Sequence, residues 1–329
     1  MVSLPYLAPR VTLQMRLLLL THAAALALLT GVDAALLPVI LVDNGSKRAA
    51  SSLTLRESAA ALSTQLGGRS VHAASLAYSD SVPADALGGV RAQTLNQTLE
   101  VLAQSGASGA IIAPLFLGPS MGLRRAVDSC TAALDEIAPS SFDLRVGPCL
   151  VDEARPGDDR IARALASHVL RLARRQALQG PLRVVVCDHG TPSPAVHAVR
   201  ERLATEVRAI LGTRALSVIG ASMERRDDPA YDFNEPLLER CLGAPPHDSG
   251  DVVVAMAFLM PGRHAGDGGD VAQIVDAAVQ RVSAGGEPTP LRVHVTPPLA
   301  THSSIVSVLA DRVRAADADA ISATTGRTP

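Results

Sequence analysis

The sequence predicts an α/β protein built from two tandem copies of one module, each a small parallel sheet with helices on both faces. Three observations predict it. Short, continuous apolar runs rich in β-branched residues recur along the chain. Stretches with Ala, Leu, Arg and Glu at amphipathic spacing lie between them. The same landmarks then return in the same order in the second half of the chain. A short apolar run bounded by turn residues is the pattern of a strand buried on both faces, and strands alternating with helices form parallel sheets.

The first copy opens with residues 36–43, LLPVILVD, which end in Asn44-Gly45-Ser46; the second opens with 182–188, LRVVVCD, which end in His189-Gly190-Thr191, at an offset of 145. A second pair, Ala74–Asp80 with Ala221–Asp227, has an offset of 147. The third is Phe116-Leu117 with Phe258-Leu259, offset 142, and the fourth is Leu144-Arg145-Val146 with Leu291-Arg292-Val293, offset 147. Four ordered pairs at nearly constant offset define an internal repeat. Each copy should contain about four strands. Helices are expected at 49–66, 86–105, 158–178, 195–211 and 301–316. The break at Gln179-Gly180-Pro181 sets module boundaries of 35–178 and 179–318. Residues 284–290, AGGEPTP, read as a loop, and 319–329 as a disordered tail.

Composition narrows the function classes. The chain has 329 residues, 47% of them hydrophobic, with four Phe, three Tyr and no Trp, so its core is made of Ala, Val, Leu and Ile. A net charge of −2 gives no electrostatic footprint for nucleic acid. Cys130, Cys149, Cys187 and Cys241 form no C-x-x-C pair and read as isolated reduced thiols. Residues 1–34 read as a targeting leader: positions 1–32 hold no Asp or Glu, Arg10 and Arg16 precede the apolar run Leu17–Thr30, and Val32-Asp33-Ala34 would serve for cleavage. An ordinary first helix, or a start at Met15, is the other reading. The run is too short to span a bilayer comfortably, so no stable membrane span is expected.

Ligands of open parallel sheets bind beyond the carboxyl ends of the strands. In the second copy those positions hold His189, Met223-Glu224 and the loop Pro261-Gly262-Arg263-His264. Two imidazoles and a carboxylate on one rim suit a divalent first-row metal, and imidazole also serves as a base near neutral pH. Singly, each residue is as well explained as a turn or surface residue; their convergence is what points to a site. The matching first-copy positions are Asn44, Ala77 and Gly122, which predicts one working site. The other histidines, His72, His168, His197, His247, His294 and His302, lack such a setting. The sequons at Asn44 and Asn96 are discounted because one lies at a buried strand end and the other inside a helix. Gly266-Asp267-Gly268-Gly269-Asp270 lacks the spacing of a calcium loop.

With Asp188-His189-Gly190-Thr191 after a strand and Ala257-Phe258-Leu259-Met260-Pro261-Gly262-Arg263-His264 after another, the chain resembles the class II chelatases, the sirohydrochlorin cobalt and iron chelatases. The resemblance spans residues 36–315, once per half, and is stronger in the second. It implies the fused form, a monomer whose pseudo-dimeric halves face each other across a cleft. It also implies a lyase that inserts Fe2+ or Co2+ into sirohydrochlorin or a related tetrapyrrole, in sirohaem or cobalamin biosynthesis. The metal is then a substrate, and no tightly bound cofactor is expected. His189, Glu224 and His264 would handle metal and protons, and Arg225, Arg226 and Arg263 would pair with the carboxylates of the macrocycle. Met223, Phe258 and Met260 would pack on its face, with core packing the equal alternative for Phe258. The loop Pro229–Pro236, longer than in relatives, would bear on substrate choice. The alternative is a metal or tetrapyrrole carrier without turnover; a periplasmic-type binding protein is a third reading. The leader implies a plastid in a eukaryote, with the cytoplasm as the alternative.

Overall fold

A computed structural model describes residues 36–137, 142–285 and 289–325; the leader lies outside them, as does part of the 284–290 loop. Two parallel sheets are present. The first contains β1 (Val39–Asp43), β2 (Val71–Ser75), β3 (Gln93–Thr94), β4 (Gly109–Pro114) and β5 (Asp143–Val146), in the order β3-β2-β1-β4-β5. The second contains β6 (Leu182–Asp188), β7 (Ala215–Ser222), β8 (Gly250–Met256) and β9 (Leu291–Val295), in the order β7-β6-β8-β9. The first sheet has one strand more than the sequence predicts, the two-residue β3.

The helices are α1 (Ala49–Gln65), α2 (Leu95–Gln104), α3 (Met121–Ile137), α4 (Arg160–Arg175), α5 (Pro194–Leu211), α6 (Leu238–Cys241), α7 (Asp270–Ala284) and α8 (Ser303–Thr325). The helix expected from 86 begins only at Leu95. Gly88 and Gly89 have positive φ and interrupt it, and a capping box between Thr94 and Gln97 starts it afresh. Helix α8 continues to Thr325, past the point near 317 where the sequence reads as fraying; its last turns are rich in alanine, the best helix former. Among the described residues no helix is long and apolar enough to cross a membrane.

Register supports three of the four repeat pairs and corrects the last. Asp43 pairs with Ser75 as Asp188 pairs with Ser222. Leu150 N–H donates to Phe116 O as Leu299 N–H does to Phe258 O. In the edge strands, however, Ile112 pairs with Val146 and Val254 with Val295. Val146 therefore matches Val295, two residues beyond Val293. A slip of two keeps every side chain on its own face, so apolar alternation cannot detect it.

The layers are arranged by exchange. Helices α2 and α3 cover one face of the first sheet, with Leu95, Leu99, Leu123 and Leu134 on Ile40, Val42 and Ile112. Helices α6 and α7 do the same for the second, on Val185, Val252 and Val254. On the other side, α1 packs across β1 and β2, and α5 across β6 and β7. Helix α4, which follows the first sheet in the chain, lies on β8 of the second sheet and on α5; helix α8, the last of the second copy, lies on β4 and α1 of the first. Arg312 of α8 fixes this crossing. Its side chain is fully buried and donates to Cys149 O at 3.1 Å, Leu150 O at 2.9 Å and Asp158 Oδ2 at 2.8 Å. Arg160 and Arg312 together hold the Asp158 carboxyl well below the usual carboxylate range.

Candidate active site

The carboxyl ends of both sheets open on one cleft of about 1080 Å³. The first module contributes the loop Asp43–Arg48, Leu115–Gly118 and Ser120–Gly122; the second contributes Asp188–Ser193, Ala257–Met260 and Gly262–Ala265. The walls are close enough to touch. A Cβ on Gly118 would meet Val199 Cγ2 at 2.7 Å, and one on Gly262 would lie 3.7 Å from Ser46 Oγ.

His189 follows β6 in a tight turn. Gly190 has φ +93°, and a Cβ there would overlap the carbonyl oxygen of Glu224. Gly45, φ +83°, stands in the same relation to Ala77 O. The glycine is what lets the His189 turn press against the end of β7, and it places Ala77 where Glu224 stands. Glu224 N–H also donates to His189 O at 3.1 Å. The His189 ring therefore lies beside the Glu224 side chain, with Nε2 3.3 Å from Oε1.

His264 reaches the same point from a different support. Eleven residues, Leu259–Gly269, precede α7, where only Leu117–Ser120 precede α3. Gly122 is thus no true counterpart of His264, because it already lies in the first turn of α3. The extra loop folds back on α7: Asp270 N–H donates to Arg263 O at 3.3 Å and Val271 N–H to His264 O at 3.1 Å. Gly269 has no room for a side chain; a Cβ would stand 2.6 Å from Arg263 O and 2.8 Å from both Gly266 O and His264 O. The His189 and His264 rings meet edge to face, centroids 4.5 Å apart.

Hydrogen bonds fix what each ring offers. His264 Nδ1 is 2.7 Å from Asp270 Oδ2 and His189 Nδ1 is 3.1 Å from Gly190 O. A carboxylate and a carbonyl only accept, so Nδ1 is the donor in each ring, and in the neutral ring Nε2 carries the lone pair. His189 Nε2 faces an oxygen of Glu224. Two acceptors at that separation are satisfied by a shared proton or a cation. Among the described residues no three His, Cys, Asp or Glu side chains form a ready-made metal sphere. Asp270, which sequence reasoning read only as part of a glycine-rich loop, is the orienting partner of His264; its signal was its place at the start of an amphipathic helix.

Two arginines and a methionine depart from the sequence expectation. Arg225 is committed to its own loop, with Nε 3.0 Å from Glu235 Oε1 and a terminal nitrogen 3.2 Å from Asp232, so its charge is already balanced. Arg226 donates to Tyr231 OH at 2.9 Å and lies over the Tyr231 ring, outside the cleft wall. Met223 is buried in the core under the second sheet. Arg263 does line the cleft; 77% of its side chain is exposed, 3.5 Å from Asp270. Phe258 and Met260 line it too, while Glu224 stands beside His189 without being part of the wall.

The Pro229–Pro236 loop is tied to the His189 turn. Asn234, 1% exposed, accepts from Thr191 N–H and donates to Thr191 O, both at 2.9 Å. Arg200, 2% exposed, donates to Ser222 Oγ, Asn234 O and Glu235 O and lies 3.9 Å from Asp188. Burial pushes the Asp188 carboxyl up, opposed by the Ser222 hydroxyl, the charge of Arg200 and the Gly190 N–H. In the first module Leu55 occupies the place of Arg200. There Asp43 Oδ1 is buried without a partner, and burial pushes the carboxyl up to about 6 against hydrogen bonds from Ser75 and Gly45. The four cysteines are free thiols, and burial pushes Cys149 up to about 11 and Cys241 up to about 12, which leaves them protonated and poor nucleophiles.

No family model and no curated protein sequence matches the chain. Solved structures do. SirB from Bacillus subtilis with Fe3+ superposes with a TM-score of 0.61 at 14% identity, covering 86% of this chain and 96% of that one. The fold is that of the class II chelatases. The sirohydrochlorin chelatase SirB from Bacillus subtilis subspecies spizizenii, in complex with cobalt, gives 0.58 at 15% identity, with 85% and 95% covered. A multi-domain protein of Deinococcus radiodurans described as similar to chelatases gives 0.50 at 15% identity, where the match takes up 84% of this chain and 54% of that one. The chelatase-like architecture accounts for the two parallel sheets with their helices.

Proposed function

We propose that the protein is a metal chelatase, a lyase that inserts Fe2+ or Co2+ into sirohydrochlorin or a related carboxylate-bearing tetrapyrrole, as in sirohaem or cobalamin synthesis. The observation that carries this reading is the pair of imidazoles of His189 and His264, ring centroids 4.5 Å apart, with His189 Nε2 3.3 Å from the Glu224 carboxylate, at a cleft of about 1080 Å³. That volume lies just above the range of about 300–1,000 Å³ for small-molecule sites, which leaves room for a macrocycle.

Insertion exchanges two pyrrole N–H protons for one M2+. In this reading His189 and Glu224 hold the incoming metal as substrate; imidazole and carboxylate accept iron or cobalt alike. His264 takes a proton on Nε2, and the Asp270 carboxylate behind it stabilises the imidazolium that forms. The second proton leaves through Glu224 or water. The pyrrole nitrogens supply the ligands that the protein lacks, so the metal passes to the ring as its bonds to the side chains break. The chain acts as a monomer with one working site, in a plastid if the source is eukaryotic and otherwise in the cytoplasm.

The test mixes purified protein with sirohydrochlorin and Co2+ or Fe2+ and follows the visible spectrum. His189→Ala and His264→Ala should each lower the rate by about 10²-fold or more, the usual share of a positioned acid–base group. Insertion at the parental rate in both variants sinks the assignment. Tight stoichiometric binding with no rate above the uncatalysed control would instead show a carrier.

A further inference from the structure

We propose that the first module grips the substrate, with the ammonium of Lys47 and the guanidinium of Arg48 receiving carboxylates on the edge of the macrocycle. The proposal rests on the chelatase reading above and assigns a role to the copy that lacks the histidines.

Lys47 is the single lysine of the chain; the other 29 of its 30 Lys and Arg residues are arginines. Lys47 and Arg48 lie on the loop from β1 to α1, both exposed and both in the cleft wall. Neither side chain has a hydrogen-bond or ion-pair partner among the described residues. That separates them from Arg225, Arg226 and Arg263, which answer to Glu235, Tyr231 and Asp270. The loop faces the site, because Ser46 Oγ lies 3.7 Å from the Cβ position of Gly262, two residues from His264. The other acids of the cleft do not compete: Asp43 and Asp188 are buried and Asp270 is engaged by His264.

The cations belong to one copy only. Gly45 matches Gly190, so Lys47 and Arg48 fall where the second module has Pro192 and Ser193. The two walls have thus divided the task. The second offers lone pairs to a metal, and the first offers positive charge to an anion on the ring's edge. Guanidinium and ammonium bind carboxylates through charge-assisted hydrogen bonds, and an unpaired cation in a cleft gives up no internal partner to do so. A macrocycle with many peripheral carboxylates gains from both residues; a porphyrin with two gains less.

The single lysine makes the test site-specific. An amine-acylating reagent on the full chain labels Lys47 and the chain's own α-amine, and peptide masses separate the two. Sirohydrochlorin should protect Lys47, and a dicarboxylate porphyrin at the same concentration should protect it far less. The double variant Lys47→Glu/Arg48→Glu should raise KM for sirohydrochlorin about tenfold and leave kcat within about twofold, because carboxylate pairing acts equally on bound substrate and transition state. Lys47→Arg should hold both values. Equal labelling with and without sirohydrochlorin, equal protection by the dicarboxylate, or an unchanged KM in the double variant overturns the proposal. If the parent inserts metal and the double variant matches it, the grip alone fails. If the parent inserts none, the chelatase reading fails, and Lys47 protection still tests the grip by itself.

Discussion

Asp43 shows how much one missing neighbour matters. It ends β1 as Asp188 ends β6, yet only Asp188 has an arginine nearby. A carboxyl that ionises near 3.8 in the unfolded chain and near 6 in the folded one holds a proton that the unfolded chain has already released in between. Stability therefore falls as pH rises from about 4 to about 6 and stays lowered above, by an amount on the order of 3 kcal/mol. Asp43→Asn removes the burial cost of the charge. Its melting temperature should match the parent at pH 4 and exceed it at pH 7; a difference that does not grow between those values disproves the assigned cause. Residue-scale chemistry was legible in part. That His189, Glu224 and His264 lie close together could be anticipated, because each follows a strand that the repeat predicts. The pairing of Asp270 with His264 did not follow from the sequence, since the two sit six residues apart across a fold of the loop. Arg225 and Arg226 misled because the string Glu224–Asp228 does not reveal which charges pair with one another.

At the scale of elements, the loop before α7 carries the asymmetry of the molecule. It is held to the first turn of the helix by two backbone hydrogen bonds, and Gly269 lets three carbonyls crowd one spot. Gly269→Ala should push Arg263 O and His264 O apart and move the imidazole. Metal insertion should drop by about 10²-fold, as expected for a misplaced group, with the far-ultraviolet circular dichroism unchanged. Parental activity in this variant would mean that the loop does not set the histidine. The strands were readable because runs such as PVILVD and RVVVCD have few other structural uses. The length of the connections was not, since counting from Phe116 and Phe258 assumes equal loops. The two-residue slip between Val146 and Val295 was invisible for a related reason: β-structure repeats every two residues, so both alignments bury the same face.

For the whole molecule the sequence gives the modules but not their exchange. Periodicity shows that α4 and α8 each have an apolar stripe; it does not show on which sheet the stripe rests. Because α4 lies on β8 and α8 on β4, a cut near 178 leaves the second sheet without the helix that covers β8 and sends α8 out with nothing to pack on. Residues 179–329 expressed alone should bind a hydrophobic dye and aggregate. Mixing them with residues 35–178 during refolding should restore a soluble pair with insertion activity. A stable, dye-silent fragment would show that the crossing contributes little.

The crossing also bears on how such a chain changes over time. A duplicated gene whose copies are merely adjacent can discard either one. Here the first copy supplies a roof for its sibling and a berth for the sibling's last helix, so its loss would expose the second copy. Asn44 stands where the second copy has His189, yet the sheet and helices around it are kept. The first copy is thus a partner whose side chains can change more freely than its fold.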